Sequence, residues 1–180
     1  MTPIFLIVGA PASGKSTASR ALAARFPQSI AICVDDLRSM VVGGVVHPSN
    51  EWGRALVEQL QLARKSVTEM AKIYHRAGFA VVIDDFWDPH SRMSEYGELF
   101  DWAELRRVVL YPDQQKVHAQ NLRRAGPGEF REYLDAGIRD VYADLNKTAG
   151  ELAQTGWIIL DTTDDTAEDT AARLQALAAA

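Results

Sequence analysis

The sequence holds one cysteine, Cys33, in 180 residues. It cannot close an internal disulfide, so an ordinary apolar core has to hold the chain together. Its setting, Ile30-Ala31-Ile32-Cys33-Val34, marks it as a small core residue. Long apolar runs are missing too, and none approaches the roughly 20 residues of a membrane helix. The first such run, Ile4-Phe5-Leu6-Ile7-Val8, leads straight into a glycine-bounded loop and does not resemble a leader peptide. We expect a cytoplasmic protein with no membrane partner. Positive charge is scarce, with 19 Lys and Arg against 24 Asp and Glu, a formal net charge of -5. That balance disfavours a broad nucleic-acid surface. His47, His75, His90 and His118 are too scattered for a metal cluster. The length fits one domain spanning residues 1–180, and no internal repeat or linker divides it.

What the chain does have is Gly9-Ala10-Pro11-Ala12-Ser13-Gly14-Lys15-Ser16, followed by Thr17. It fits G-x-x-x-x-G-K-[ST], the phosphate-binding P-loop. The required context is present: a strand-type run before it and an Ala- and Leu-rich helical segment, Ser16 to Phe26, after it. Gly9 and Gly14 allow backbone N–H groups to converge on an anion, and the helix start adds its own unpaired N–H groups. The motif places Lys15 at the β- and γ-phosphates and the Ser16 hydroxyl on Mg²⁺. These residues point to a bound nucleoside triphosphate.

Further along, Ser29 to Val34 reads as a second strand that runs into Asp35-Asp36-Leu37-Arg38. Carboxylates at the carboxyl end of a parallel strand lie where open α/β sheets bind ligands. An apolar, glycine-interrupted loop, Met40 to Pro48, precedes a long helical segment from about Glu51 to Ala77. Its apolar stripe runs through Leu56, Leu60, Ala63, Val67, Met70 and Ile73 or Tyr74. Phe79 to Ile83 forms a third strand ending in Asp84-Asp85, with Trp87 just beyond. Ser91 to Phe100 suggests a short helix. Leu105 to Tyr111 reads as the fourth strand, and Asp113 caps a helix to about Arg124. Ala125-Gly126-Pro127-Gly128 is the sharpest breaker, flanked by Arg123, Arg124, Arg131 and Arg139, and suggests a flap. A helix from Phe130 to about Leu152 follows, with an interruption expected near Gly137. Trp157 to Asp161 gives a fifth strand, and Thr166 starts a closing helix. Strands alternating with helices imply an α/β protein with a parallel sheet covered on both faces.

Together these motifs resemble the P-loop kinases of the nucleoside-monophosphate-kinase type, over nearly the whole chain. Gly9 to Thr17 followed by Asp35-Asp36-Leu37-Arg38 is similar to the branch containing polynucleotide 5′-hydroxyl kinases, chloramphenicol phosphotransferase and zeta toxins. Met40 to Gly44 and the later Val81-Val82-Ile83-Asp84-Asp85 also look like small gluconate-kinase-like bacterial proteins. The resemblance implies a five-stranded parallel sheet in order 2-3-1-4-5, with a LID at about residues 124–140. It implies an ATP- and Mg²⁺-dependent kinase acting on a hydroxyl of a small-molecule acceptor, with no protein partner indicated.

By the same resemblance, Asp35 stands as the base for the attacking hydroxyl; for Asp36 the reading is a cap of the helical segment that starts near Leu37. Arg38, Asp85 and Trp87 would meet the acceptor, and Asp85, or Asp84 beside it, would join Ser16 in the metal shell. Arg123 and Arg124 match LID arginines, of which Arg124 fits an N-x-x-R spacing from Asn121. Thr162 belongs to a loop bordering adenine, through backbone contacts. Two other readings stay open: a 5′-hydroxyl kinase acting on nucleic acid, and a nucleotide-dependent regulatory ATPase that binds a protein partner.

Overall fold

The computed structural model describes residues 2–47 and 52–178. Five strands form one parallel sheet: β1 (Ile4–Gly9), β2 (Ser29–Cys33), β3 (Ala80–Asp84), β4 (Leu105–Leu110) and β5 (Trp157–Leu160). Their spatial order is β2-β3-β1-β4-β5, so β1 lies at the centre and its six residues are buried. A strand covered on both faces reads as a continuous apolar run, which is why β1 shows no polar alternation.

Side-chain alternation along each strand divides the core in two. Ile4, Leu6 and Val8 of β1, with Val81 and Ile83 of β3, face α3 (Arg54–Arg76) and α6 (Glu129–Gln154). Phe5, Ile7 and Val82 face the opposite way, onto α1 (Lys15–Ala23) and α7 (Ala167–Leu177). The remaining helices are α2 (Val34–Ser39), α4 (Gly97–Phe100) and α5 (Gln114–Ala125). Thr166 opens α7 with a reciprocal capping box to Asp169, and Asp113 caps α5 by accepting from the Lys116 N–H.

Several local expectations shift. Val34 leaves β2 and begins α2, so Asp35 and Asp36 occupy the first helical turn, whose cap position is Cys33. A carboxylate in the first turn favours the positive end of the helix dipole without capping it. The described part of α3 begins at Arg54; Glu51 lies outside the described residues. Ile73 is exposed, and Tyr74 carries the end of the apolar stripe. Helix α6 runs through Gly137 without a break; the apolar residues it buries, Ile138, Val141, Tyr142, Leu145 and Leu152, all follow that glycine, and their burial outweighs its helix cost of about 1 kcal/mol.

One residue of α3 has no place in an apolar stripe. Arg64 is fully buried, and its Nε and Nη1 meet Asp85 at 2.8 Å, Asp88 at 2.9 Å and Glu95 at 3.2 Å. The Tyr96 hydroxyl donates to the same Asp85 oxygen at 3.0 Å. This cluster ties α3 to the segment leaving β3. Replacing Arg64 by Met strands buried carboxylates without their cation, and we expect a loss of roughly 3–5 kcal/mol. Urea denaturation of the variant measures it; an unchanged midpoint would show that the cluster does not hold these elements together.

Candidate active site

Between β1 and α1 the chain turns through positive φ at Gly9 (157°), Ala12 (60°) and Gly14 (88°). A Cβ on Gly9 would sit 2.7 Å from the Leu110 carbonyl oxygen and 2.9 Å from Ser13 Oγ, so this position admits only glycine. Helix α1 starts at Lys15 with no side chain capping its N–H groups. Ser13 is buried and its Oγ has no partner among the described residues. Lys15 Nζ donates to the Ala10 carbonyl inside its own loop at 2.8 Å. Burial pulls the Lys15 ammonium below its ordinary pKa, against the opposing pull of Asp84, Asp35 and Asp85. Uncapped N–H groups, an orphaned hydroxyl and a desolvated ammonium around one turn fit a polyphosphate.

The end of β3 supplies the acid next to this turn. By alternation Asp84 points to the α1 side and Asp85 to the α3 side. Burial raises the Asp84 pKa, opposed by the Lys15 charge and by hydrogen bonds from Ser16 and Cys33. Asp84 therefore faces the hydroxyl that the P-loop motif assigns to Mg²⁺, and Ser16 with Asp84 is the pair that fits the ion. Asp85, the expected ligand, is placed elsewhere: its Oδ2 accepts from Arg64 and Tyr96 and its Oδ1 from the Phe86 N–H. Trp87 differs from expectation for the same reason. It is fully buried, edge-on to Trp157 at 5.4 Å, and its Nε1 donates to Asp144, so no ring face is open to an acceptor.

A cleft of about 510 Å³ opens beside the turn, lined by Ala12, Gly14, Thr17, Gln120, Arg123 and Thr162, among others. Its volume suits a nucleoside. Arg123 is on this wall, with Nη2 donating to Gln120 at 3.1 Å, while Arg124 is exposed on α5 and is not part of the lining. Pro11 meets α6: a Cβ on Gly137 would lie 3.6 Å from Pro11 Cγ. That is an ordinary van der Waals distance, which places α6 beside the phosphate turn.

Across the same sheet edge, Asp35 is largely exposed and pairs with Arg38 at 3.8 Å. Arg38 is mostly buried; its Nη2 donates to the Val46 carbonyl at 3.1 Å. Gln59 of α3 holds the same loop through the Val46 N–H and the Gly44 carbonyl. Arg38 thus positions a loop as well as facing Asp35. Val42 on that loop is 99% exposed, and Met40 is exposed beside it. Burial raises the phenol pKa of Tyr133 on α6, and the charges of Arg38 and Asp35 act on it.

Sequence reasoning missed Tyr133, Gln59 and Arg64, and preferred Asp85 over Asp84. The parity of β3 could have sorted the two aspartates, since Val82 and Asp84 share a face. Asp84→Asn is expected to weaken Mg²⁺-nucleotide affinity about 10–100-fold, whereas Asp85→Asn leaves the metal-dependent part of binding unchanged. Calorimetric titration with and without Mg²⁺ separates them; the reverse ranking would return the metal role to Asp85.

A family profile described as an AAA domain matches residues 4–143. No curated protein matches the sequence. Among solved structures, the tunicamycin resistance protein of Deinococcus radiodurans superposes with a TM-score of 0.66 at 16% identity, covering 98% of this chain and 95% of that one. The shikimate kinase from Acinetobacter baumannii gives 0.66 at 17% identity, with 98% and 93% covered. A gluconokinase from Sinorhizobium meliloti gives 0.62 at 17%, with 99% and 94% covered. At such identities the likeness is one of fold. With the profile spanning most of its length and the strand order β2-β3-β1-β4-β5 around a P-loop, this chain belongs to the AAA domain family and has the fold of the nucleoside-monophosphate-kinase-type P-loop kinases.

Proposed function

We propose that the protein is a cytoplasmic, single-domain kinase that transfers the γ-phosphoryl group of ATP to a hydroxyl of a small-molecule acceptor. The observation that carries this reading is the placement of Asp35. Asp35, largely exposed in the first turn of α2 just past the end of β2, carries a charge that acts on the Lys15 ammonium. A regulatory ATPase has no use for such a base, and the formal net charge of -5 sets a small acceptor above a nucleic acid.

The roles follow from chemistry. The triphosphate lies in the turn Gly9 to Thr17, with the nucleoside in the cleft of Arg123 and Thr162. Ser16 and Asp84 would hold Mg²⁺, which would supply positive charge to neutralise the phosphates. Asp35 accepts the proton as the acceptor oxygen forms its bond to phosphorus and the bond from phosphorus to the bridging oxygen of ADP breaks. Lys15 and an arginine at the end of α5 balance the charge spread over the transferring group. We assign that arginine to Arg123, with Arg124 on the outer face.

The segment of residues 124–140 serves as the LID. The charges of Asp35 and Arg38 act on Tyr133, and Gly137 sits by Pro11, so one helix spans acceptor and donor sides. Such a cover keeps water from replacing the acceptor. Arg38 and the loop it holds shape the acceptor pocket.

Asp35→Asn tests the assignment. Acceptor-dependent ATP turnover should fall about 10²–10⁴-fold, with nucleotide affinity unchanged, in a coupled ADP-release assay across sugars, nucleosides, antibiotics and oligonucleotides. Full turnover by the variant would remove Asp35 from the base role. Stimulation by oligonucleotides alone would favour the 5′-hydroxyl kinase reading.

A further inference from the structure

A second cleft, of about 520 Å³, lies behind the Arg64 cluster and is lined by Trp52, Gln61, Asp88, His90, Ser94 and Glu95, among others. Three carboxylates surround the one guanidinium, and two of them, Asp88 and Glu95, line the cleft. Two of the three use both oxygens inside the protein. Asp85 accepts from Arg64, Tyr96 and the Phe86 N–H, and Asp88 accepts from Arg64, Ser91 and the His90 N–H. Although burial works to raise it, Arg64 holds the Asp88 carboxyl below its ordinary pKa.

Glu95 is different. Its side chain is only 8% exposed, Arg64 reaches its Oε1, and its Oε2 has no partner among the described residues. Arg64 Nη2 is unpartnered as well, but Arg64 does not line the cleft and Glu95 does. The unspent polar atom on the wall is thus an acceptor on an anionic group, which calls for a cationic donor. No group of three or more His, Cys, Asp or Glu side chains is arranged to hold a metal among the described residues. An aromatic rim completes the site: the Trp52 ring lies 5.1 Å from His90 and 6.0 Å from Phe86. Such a rim suits an ammonium group and the body that carries it.

We propose that this cleft binds an organic amine, its ammonium on Glu95 and its polar body against Trp52, Gln61 and Ser94. Asp85 of the cluster directly follows, in the chain, the Asp84 that faces Ser16 and Lys15. The amine is therefore carried either by the phosphoryl acceptor itself or by a separate ligand. Only the first assignment rests on the kinase reading.

The test is calorimetric titration of the nucleotide-free protein with glucosamine and with spermidine, each against its N-acetylated counterpart. The amines should bind about tenfold or more tightly than the acetylated forms, because a charge-assisted hydrogen bond is lost on acetylation. Glu95→Gln should erase that preference. Trp52→Ala, at the exposed rim, should weaken amine and acetylated form alike, and it keeps the test alive if the Glu95 variant does not fold. Binding of neither amine, equal binding of amine and acetylated form, or a preference that survives in a folded Glu95→Gln protein would overturn the proposal. Stimulation of ATP turnover by an amine that binds places the ammonium on the acceptor. Binding without stimulation assigns it to a separate ligand, and either result upholds the site.

Discussion

Along β3 successive side chains must point to opposite faces of the sheet, and the two aspartates at its end are sorted by that rule alone. Asp84 falls on the α1 side with Val82, against Ser16 and Lys15. Asp85 falls on the α3 side with Val81 and Ile83, against Arg64. Adjacent residues of the same chemistry thereby take unlike tasks, one at the phosphate turn and one in a buried ion cluster. Shifting the strand by one residue would exchange them and lose both arrangements. Trp87 shares the parity of Asp85, which carries it into the core beside Trp157.

The Arg64 cluster has the energetics of a buried network. Three carboxylates on one cation contribute little net stability while all partners are present, yet removing the cation is costly. Its consequence is positional. It fixes the chain leaving β3 against α3, and α3 in turn holds the loop before it through Gln59. The proposed acceptor side of the crevice is thus built on α3, whereas the proposed donor side is built on β1, α1 and the loops after β4 and β5. Helix α6 lies over both, through Tyr133 and Gly137.

How far the residues alone reveal this depends on range. The P-loop is local: glycine spacing, a preceding apolar run and a following helix are all contiguous, and the turn has the geometry that its spacing implies. The alternation of strands and helices is also legible, and the strand order expected from the family resemblance is the order found. Arg64 could not be read, since a charged residue within an apolar stripe looks like a solvated one until its distant partners are known. Tyr133 was hidden likewise, as the Asp35 and Arg38 whose charges act on it are nearly a hundred positions away in the chain. Gly137 misled in the opposite direction. Local propensity suggested a break, whereas the apolar residues buried after Gly137 carry the helix through it.

The central claim is that the phosphate turn and Asp35 serve one transfer reaction and not hydrolysis. The most direct measurement follows the γ-phosphorus of ATP by phosphorus NMR while the protein turns over with candidate hydroxyl acceptors. The account predicts a phosphomonoester resonance that grows with ADP and exceeds orthophosphate once the right acceptor is present. Orthophosphate as the sole product, at a rate indifferent to every acceptor offered, would contradict it.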